Sequence, residues 1–229
     1  MVNTAINSKY WYIRSHQLFN QLQEEDYKEL EWISGFKSCK KNEFLYFPDN
    51  DNRKVYFIKN GFVKLGTYDD EGNEIILDIL KKDDVFGNIS LGENEHNSEF
   101  AVALTNDTVL CNFNVRELEK IFERRPTLAI KFTKKVGERQ LSVTRRFSKI
   151  IFKDARQRLI EFFKEQVLDS GIKETKNIKL TNHLTHSDIA GLNGLARQTV
   201  TSILNQFKEE DILIADRKYF IIPDLQLLK

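Results

Sequence analysis

The sequence predicts an α+β protein of 229 residues in three successive parts. Short apolar runs separated by turn residues fill positions 36–113, which is typical of an antiparallel β-sandwich or barrel. One long helical pattern then runs from Thr127 to about Phe152. The last part has two short helices joined at a glycine and followed by two apolar strands, a pattern that indicates a winged helix-turn-helix.

The region before the β-rich part divides at about residue 16. Residues 1–16 have no apolar period and are interpreted as an N-terminal arm. The stretch from Phe19 to Ile33 has apolar residues at helical spacing and precedes Gly35, so we expect an amphipathic helix there. A β-rich domain with flanking helices is therefore predicted over residues 17–126.

Turn residues separate the strands of this domain. Asn60-Gly61 and Glu71-Gly72-Asn73 each lie between two β-rich runs, and Asn-Gly is a strong hairpin signal. The predicted strands cover residues 44–47, 55–58, 62–68, 74–80, 101–104 and 108–113.

The long helix has apolar residues that recur every seven positions: Ala129, Val136, Val143 and Ile150. A seven-residue apolar repeat favours a seam between two helices, and residues 127–153 are the candidate segment for such pairing. The alternative is that the stripe packs on the protein's own β-domain. A hinge is expected near Phe152–Asp154, before a C-terminal domain over residues 154–229.

The stretch from Leu184 to Asn205 carries the clearest functional pattern. Thr185 and Asp188 form a capping-box pattern that starts one helix, and Gly194 suits the turn that follows. A second helix is expected from about Ala196 to Glu209. Its outer face is short and polar, as a helix that reads base edges in the DNA major groove requires. The residues of this face are Arg197, Gln198, Thr201, Ser202 and Asn205.

Each predicted DNA contact follows from side-chain chemistry. Arg favours the O6/N7 edge of guanine and Gln the N6/N7 edge of adenine, so Arg197 and Gln198 are assigned to bases. Arg217 and Lys218, in the turn of the predicted wing, are assigned to phosphates. The full predicted set is Arg197, Gln198, Thr199, Ser202, Thr185, Ser187, Arg217 and Lys218.

The charge of the chain is unevenly distributed. Residues 1–115 contain 12 Lys and Arg against 19 Asp and Glu, a net −7, while residues 116–229 contain 23 against 15, a net +8. The second half therefore suits a polyanion such as double-stranded DNA, and the first half does not.

The residues of the helix pair resemble the DNA-binding signature of the Crp–Fnr family of bacterial transcription regulators. The resemblance rests on Ile189-Ala190, Gly194, Arg197, Thr199-Val200 and Ile203-Leu204. Upstream, three segments resemble a cyclic-nucleotide-binding β-roll: Val55–Gly61, Asp70–Glu74 and Asp84–Gly87.

This resemblance implies a β-roll or jelly-roll sensor domain, a dimerisation helix and a DNA-binding domain. It also implies a homodimer that presents two recognition helices, ~34 Å apart, to a palindromic DNA operator. An effector would act by shifting the hinge. A regulator that activates transcription would also contact RNA polymerase, and the sequence identifies no surface for that contact.

The effector pocket departs from the family pattern. Members that bind cyclic AMP hold it with a Gly-Glu pair and an Arg-Ser or Arg-Thr pair. Here Asn88 follows Gly87, and the second pair falls on Ser98-Glu99. No arginine lies between Arg53 and Arg116, so the charge-assisted bond to the phosphate is lost and we expect no cyclic-nucleotide binding.

Three interpretations of the pocket stay open. A different effector, neutral or cationic, contacts Asn88, Ser98 or Glu99. Alternatively, side chains fill a collapsed pocket and the regulator works without an effector. The third interpretation is that the alignment through the loop is shifted, although no shift of several residues would supply an arginine.

No cofactor, metal site or enzymatic activity is predicted. The histidines lack metal-pair spacing, two cysteines are too few for an iron–sulfur cluster, and catalytic motifs are absent. A second hypothesis is a ligand-binding protein whose helical end docks a protein partner, which a lack of salt-dependent duplex binding would support. The cysteine content and the absence of an export signal or ~20-residue apolar run predict a cytoplasmic protein without membrane contact.

Overall fold

The computed structural model describes residues 12–20, 22–47, 53–89, 91, 98–170, 172–173, 177–216 and 218–228. The chain divides into two compact units, residues 1–141 and 142–229. This division falls inside the long helix, so the helix contributes to both units.

Two four-stranded antiparallel sheets form the first unit. Its strands are β1 (Gly35–Cys39), β2 (Phe44–Tyr46), β3 (Lys54–Asn60), β4 (Val63–Tyr68), β5 (Glu74–Leu80), β6 (Val85–Gly87), β7 (Phe100–Ala103) and β8 (Thr108–Asn114). The strand order is β1-β8-β3-β6 in one sheet and β2-β7-β4-β5 in the other. The predicted antiparallel β-domain is therefore confirmed.

The two faces of strand β3 serve two different cores. Tyr56 and Ile58 join a cluster that takes residues from both sheets, whereas Val55 and Phe57 join a second cluster with the helices. Because successive side chains of a strand point to opposite faces, both faces of this strand must be apolar. The uninterrupted apolar run Val55–Ile58 follows from this double burial.

Besides the helical residues 12–15, the described part of the first unit has the helices α1 (Glu24–Ile33), α2 (Val115–Arg124) and α3 (Pro126–Phe152), of which α3 continues into the second unit. Helix α1 begins five residues later than the predicted start at Phe19. Its start is fixed by Gln23, whose backbone N–H donates to the Asp26 carboxylate at 3.0 Å in a reciprocal capping box. The Tyr27 hydroxyl also donates to the Phe19 carbonyl at 2.6 Å and holds the preceding segment against the helix.

The predicted N-terminal arm includes residues that the structure packs into the core. Residues 12–15 are helical, and Tyr12 and Ile13 are buried. The Tyr12 hydroxyl donates to the Val109 carbonyl at 3.0 Å. An arm ending at residue 16 is therefore too long, and residues 1–11 lie outside the described part of the chain.

Helix α3 buries only part of the stripe predicted for its seam. Leu128 and Phe132 are buried in the core of the first unit, and Val136 packs against the same core. Val136 of the predicted stripe therefore meets its own domain, as the alternative interpretation proposed, while Val143 and Ile150 are exposed. Five further apolar residues of α3 are more than half exposed: Ile130, Leu141, Phe147, Ile151 and Phe152.

The second unit is an α+β domain. After the end of α3 it contains α4 (Ala155–Ser170), β9 (Ile172–Lys173), β10 (Ile178–Thr181), α5 (His186–Asn193), α6 (Arg197–Glu209), β11 (Ile214–Ala215), β12 (Tyr219–Ile222) and a short 3-10 helix (Leu225–Leu227). Its sheet has the order β11-β12-β10-β9, and β11 pairs with β12 as the predicted wing hairpin. Phe163 contacts Phe220 edge-on, with ring centroids 5.1 Å apart, and so joins α4 to the wing.

Candidate functional site

The start of helix α5 is fixed by the predicted capping box. The Thr185 hydroxyl accepts from the Asp188 N–H at 3.1 Å, and the Asp188 carboxylate accepts from the Thr185 N–H at 2.7 Å. At the other end Gly194 has φ +60°, the left-handed conformation that glycine adopts without strain. These local signals set the angle at which α6 leaves the turn.

Helix α6 has one apolar face and one exposed polar face. Its buried residues are Val200, Ile203, Leu204 and Phe207. Arg197, Gln198, Ser202 and Asn205 are exposed on the opposite side. The exposed polar face that the sequence predicted is therefore present, and Arg197 is the first residue of the helix.

A hydrogen bond that sequence reasoning missed ties α6 to α5. The Thr201 hydroxyl donates to the Arg197 carbonyl at 3.0 Å, and His186 Nδ1 lies 2.9 Å from the Thr201 hydroxyl oxygen. Because the hydroxyl hydrogen is already used, the geometry assigns the proton of this contact to His186 Nδ1. The two residues are far apart in sequence and belong to different helices, so no periodic signal predicts their contact.

The other predicted DNA contacts surround this face. Ser187 and Lys218 are exposed and Thr199 is half-buried, while Arg217 lies outside the described residues. The Thr185 hydroxyl donates to the Asp188 carboxylate at 2.7 Å, so its hydrogen already has an acceptor. In the wing, the Asp216 N–H donates to the Tyr219 carbonyl at 2.8 Å and closes the turn that carries Lys218.

The four predicted pocket residues lie at the ends of two strands, β6 and β7, that belong to different sheets. Gly87 ends β6, where its φ is +87° and an added Cβ would lie 2.4 Å from the Lys54 carbonyl oxygen. Asn88 follows it and is almost fully buried. Ser98 is exposed and its carbonyl accepts from the Thr67 hydroxyl of β4 at 2.9 Å, while Glu99 is half-buried. Residues 90 and 92–97, between the two pairs, lie outside the described part.

Aromatic rings fill the interior of the β-domain beside Gly87. Tyr56 and Phe86 stack with centroids 5.0 Å apart, and Tyr46 lies 5.7 Å from Tyr56. All three rings are buried. Burial raises the pKa of Tyr56 to about 12, so its phenol stays neutral at physiological pH. An anionic phosphate would meet a wall without positive charge here.

Comparison with known proteins agrees with both halves of this description. Residues 36–125 match the model of the cyclic nucleotide-binding domain, and residues 157–229 match the Crp-like helix-turn-helix domain. The chain belongs to the Crp–Fnr family of transcription regulators. It is accordingly a DNA-binding regulator of transcription, as the resemblance of its helix pair predicted.

Individual relatives cover most of the chain. It is 27% identical over 180 residues to the global nitrogen regulator of Synechocystis sp., covering 78% of this chain and 80% of that one. It is 21% identical over 196 residues to the anaerobic regulatory protein of Bacillus subtilis, covering 86% and 82%. The solved structure of a CooA mutant from Carboxydothermus hydrogenoformans matches with a TM-score of 0.75 and 28% identity, covering 93% of each chain.

The helices were also compared with the dimensions of a bilayer. Among the described helices, none combines the length and the apolar character that a membrane crossing requires.

Proposed function

We propose that this Crp–Fnr regulator binds a palindromic operator as a homodimer in the cytoplasm, without a cyclic nucleotide. The observation that carries the proposal is the polar face of α6, where Arg197, Gln198 and Ser202 are exposed at the first two turns. Residues at the N-terminal end of a recognition helix are the ones that contact base edges in the major groove.

The exposed side of α3 supports a second copy of the chain as the partner. Its residues follow alternating steps of three and four: Ile130, Thr133, Gly137, Gln140, Thr144, Phe147 and Ile151. This is the heptad spacing of a two-helix seam, displaced by one residue from the predicted stripe. Apolar residues stand at both ends of the seam, and smaller or polar residues stand in the middle. Pairing along this seam would make one operator-binding dimer from two chains.

The filled interior of the β-domain supports control without a cyclic nucleotide. The ring of Tyr56 approaches Gly87 so closely that an added Cβ would lie 2.8 Å from Tyr56 Cδ2. The chain also lacks an arginine between Arg53 and Arg116. Of the interpretations left open by the sequence, we therefore favour the pocket that is filled by side chains.

The test is selection of bound sites from random duplex DNA with no effector added. We expect a palindrome whose half-sites are about one helical turn apart, ~34 Å. A non-palindromic motif would count against the homodimer. Recovery of no motif without an effector would contradict the proposal, and so would a motif that appears only when cyclic AMP is added.

Arg197→Ala is expected to reduce binding to the selected operator by about 5- to 150-fold, which corresponds to ~1–3 kcal/mol for a bidentate base contact. Binding to random DNA should change little. The matched control is Lys218→Ala in the wing, which removes an exposed charge and should weaken both DNAs alike. Fluorescence anisotropy titrations on both DNAs make the comparison, and an equal loss on both for Arg197→Ala would contradict its assignment to a base.

Excess cyclic AMP is expected to leave the thermal unfolding of the first unit unchanged. A ligand that binds only the folded state, at 100 times its dissociation constant, would stabilise that state by about 2.7 kcal/mol. Both tryptophans of the sequence precede residue 142, so tryptophan fluorescence follows this unit. A clear rise of the unfolding temperature with cyclic AMP, absent with adenosine, would mean that the first unit binds cyclic AMP and would contradict the proposal.

A further inference from the structure

The junction between α3 and α4 is a tight turn with its own hydrogen bonds. The Lys153 N–H donates to the Lys149 carbonyl at 3.0 Å and continues the helical pattern past Phe152. The Asp154 carboxylate then accepts from the Gln157 N–H at 2.8 Å, and the Gln157 side chain accepts from the Asp154 N–H at 3.3 Å. This reciprocal cap leaves little backbone freedom between the two helices.

Arg158, one turn into α4, connects this junction to the turn between α5 and α6. Its Nε donates to the Lys153 carbonyl at 3.0 Å. Its Nη1 donates to the Asn193 carbonyl at 2.9 Å and to the Gly194 carbonyl at 3.1 Å. The last carbonyls of a helix lack partners within the helix and carry partial negative charge, so a guanidinium stabilises them well. Only a forked donor can reach both sets of carbonyls at once.

Further contacts within the second unit join the same parts. The Ile150 side chain lies beside the glycine turn, since a Cβ added at Gly194 would be 3.3 Å from Ile150 Cδ1. Lys149 pairs with Glu165 at 2.5 Å. The last two turns of α3 are thus packed on α4 and on the helix-turn-helix.

We propose that Arg158 is a positioning residue for DNA recognition. It fastens the turn at Gly194 to the end of α3, so that α6 keeps one orientation relative to that end of the helix. The sequence predicted a hinge at Phe152–Asp154, whereas Arg158 would make that junction stiff. This role of Arg158 rests on the proposed function, because a fixed orientation of α6 matters only in a dimer that reads two half-sites.

The test uses the full-length protein and the operator found by site selection. Wild type, Arg158→Met and Arg158→Lys are titrated with that operator and with versions whose spacer is one base pair longer or shorter. The measured quantity is the affinity for the selected spacing divided by the affinity for the altered spacing. Lys164→Met is the matched control, because Lys164 is on the same helix and pairs with Glu161 of that helix.

We expect Arg158→Met to lower this ratio about tenfold, Arg158→Lys to lower it less, and Lys164→Met to leave it within twofold. A purely structural role would reduce both affinities together, since fewer molecules would be folded, and would leave the ratio unchanged. An unchanged ratio for Arg158→Met would therefore overturn the inference.

Amide hydrogen exchange without DNA tests the link independently of the proposed function. Arg158→Met should lose protection together at residues 153–158 and 191–195, because one guanidinium holds both segments. Loss at only one of them, or at neither, would overturn the inference even if the operator is found. Coupled loss with no operator recovered would instead contradict the proposed function and leave the link standing.

Discussion

Phe207→Ala is expected to lower the free energy of unfolding of the second unit by about 3–5 kcal/mol, the usual cost of emptying a buried phenylalanine site. Phe207 lies on the buried face of the recognition helix and is 0% exposed. The Arg156 guanidinium covers its ring at 4.9 Å from the centroid. The Phe207 carbonyl accepts from the Ile212 N–H at 2.8 Å, where the chain turns toward the wing. A cavity at this point therefore affects the helix and the wing together.

The two units can be followed separately in this experiment. Both tryptophans of the sequence precede residue 142, so their fluorescence reports the first unit, while far-UV circular dichroism reports the helices of both. Phe207→Ala should lower the temperature of a circular-dichroism transition and leave the fluorescence transition in place. Ser202→Ala, an exposed change on the same helix, should shift neither. An equal shift of both signals for Phe207→Ala would mean that the units unfold together.

The helix pair was predictable because its determinants are local. The cap joins Thr185 to Asp188, three residues apart, and the turn depends on Gly194 alone. The apolar stripe of α6 repeats with the helical period, and it identifies the opposite face as exposed. Each of these signals acts within one or two helical turns, and a single sequence contains all of them.

The exposed side of α3 could not be located by the same reasoning. Ala129 and Ile130 are both apolar and adjacent, so the heptad count fits a stripe through either of them. Which of the two stripes is exposed depends on the side of α3 that packs on the β-domain. Contacts with residues distant in sequence determine that side. Val136 belongs to the predicted stripe and packs on that core, whereas Ile130 remains 56% exposed.

Contacts between distant segments leave no period in the sequence. Arg158 and the carbonyl of Asn193 are 35 positions apart, and nothing near either residue indicates the other. The burial of Tyr12 has the same origin, because its hydrogen bond to the Val109 carbonyl joins residues 97 positions apart. Local signals therefore predict that the helix pair forms, while contacts between distant segments determine how the pair is oriented.

Acid is expected to destabilise the first unit through His16. This imidazole is 4% exposed and lies among the rings of Phe19 and Phe57, each 5.5 Å away. Its Nδ1 accepts from the Leu18 N–H at 3.2 Å, so the neutral ring carries its proton on Nε2. Burial lowers the pKa of His16 to about 4, with contributions in the same direction from Lys135 and Lys82 and an opposing one from Asp83.

The pH window follows from these two states of the ring. An unfolded histidine has a pKa of about 6.5. Between pH 6.5 and about 4 the unfolded chain binds a proton on this ring that the folded chain does not. The free energy of unfolding therefore falls as the pH falls, by ~3 kcal/mol across the window, and is fully retained above it.

The control is His16→Asn, whose side-chain oxygen can still accept the Leu18 N–H but does not titrate. Burial also raises the pKa of Asp84, which acts in the opposite direction, but both proteins retain that residue and its effect cancels in the difference. Urea unfolding followed by tryptophan fluorescence at several pH values gives the slope for each protein. We expect the free energy of unfolding to fall more steeply below pH 6.5 in wild type than in His16→Asn, since only in wild type must this ring lose a proton for the chain to fold. Equal slopes would mean that the folded structure accommodates the charged ring beside Asp83, whose carboxylate lies 3.8 Å from Nε2.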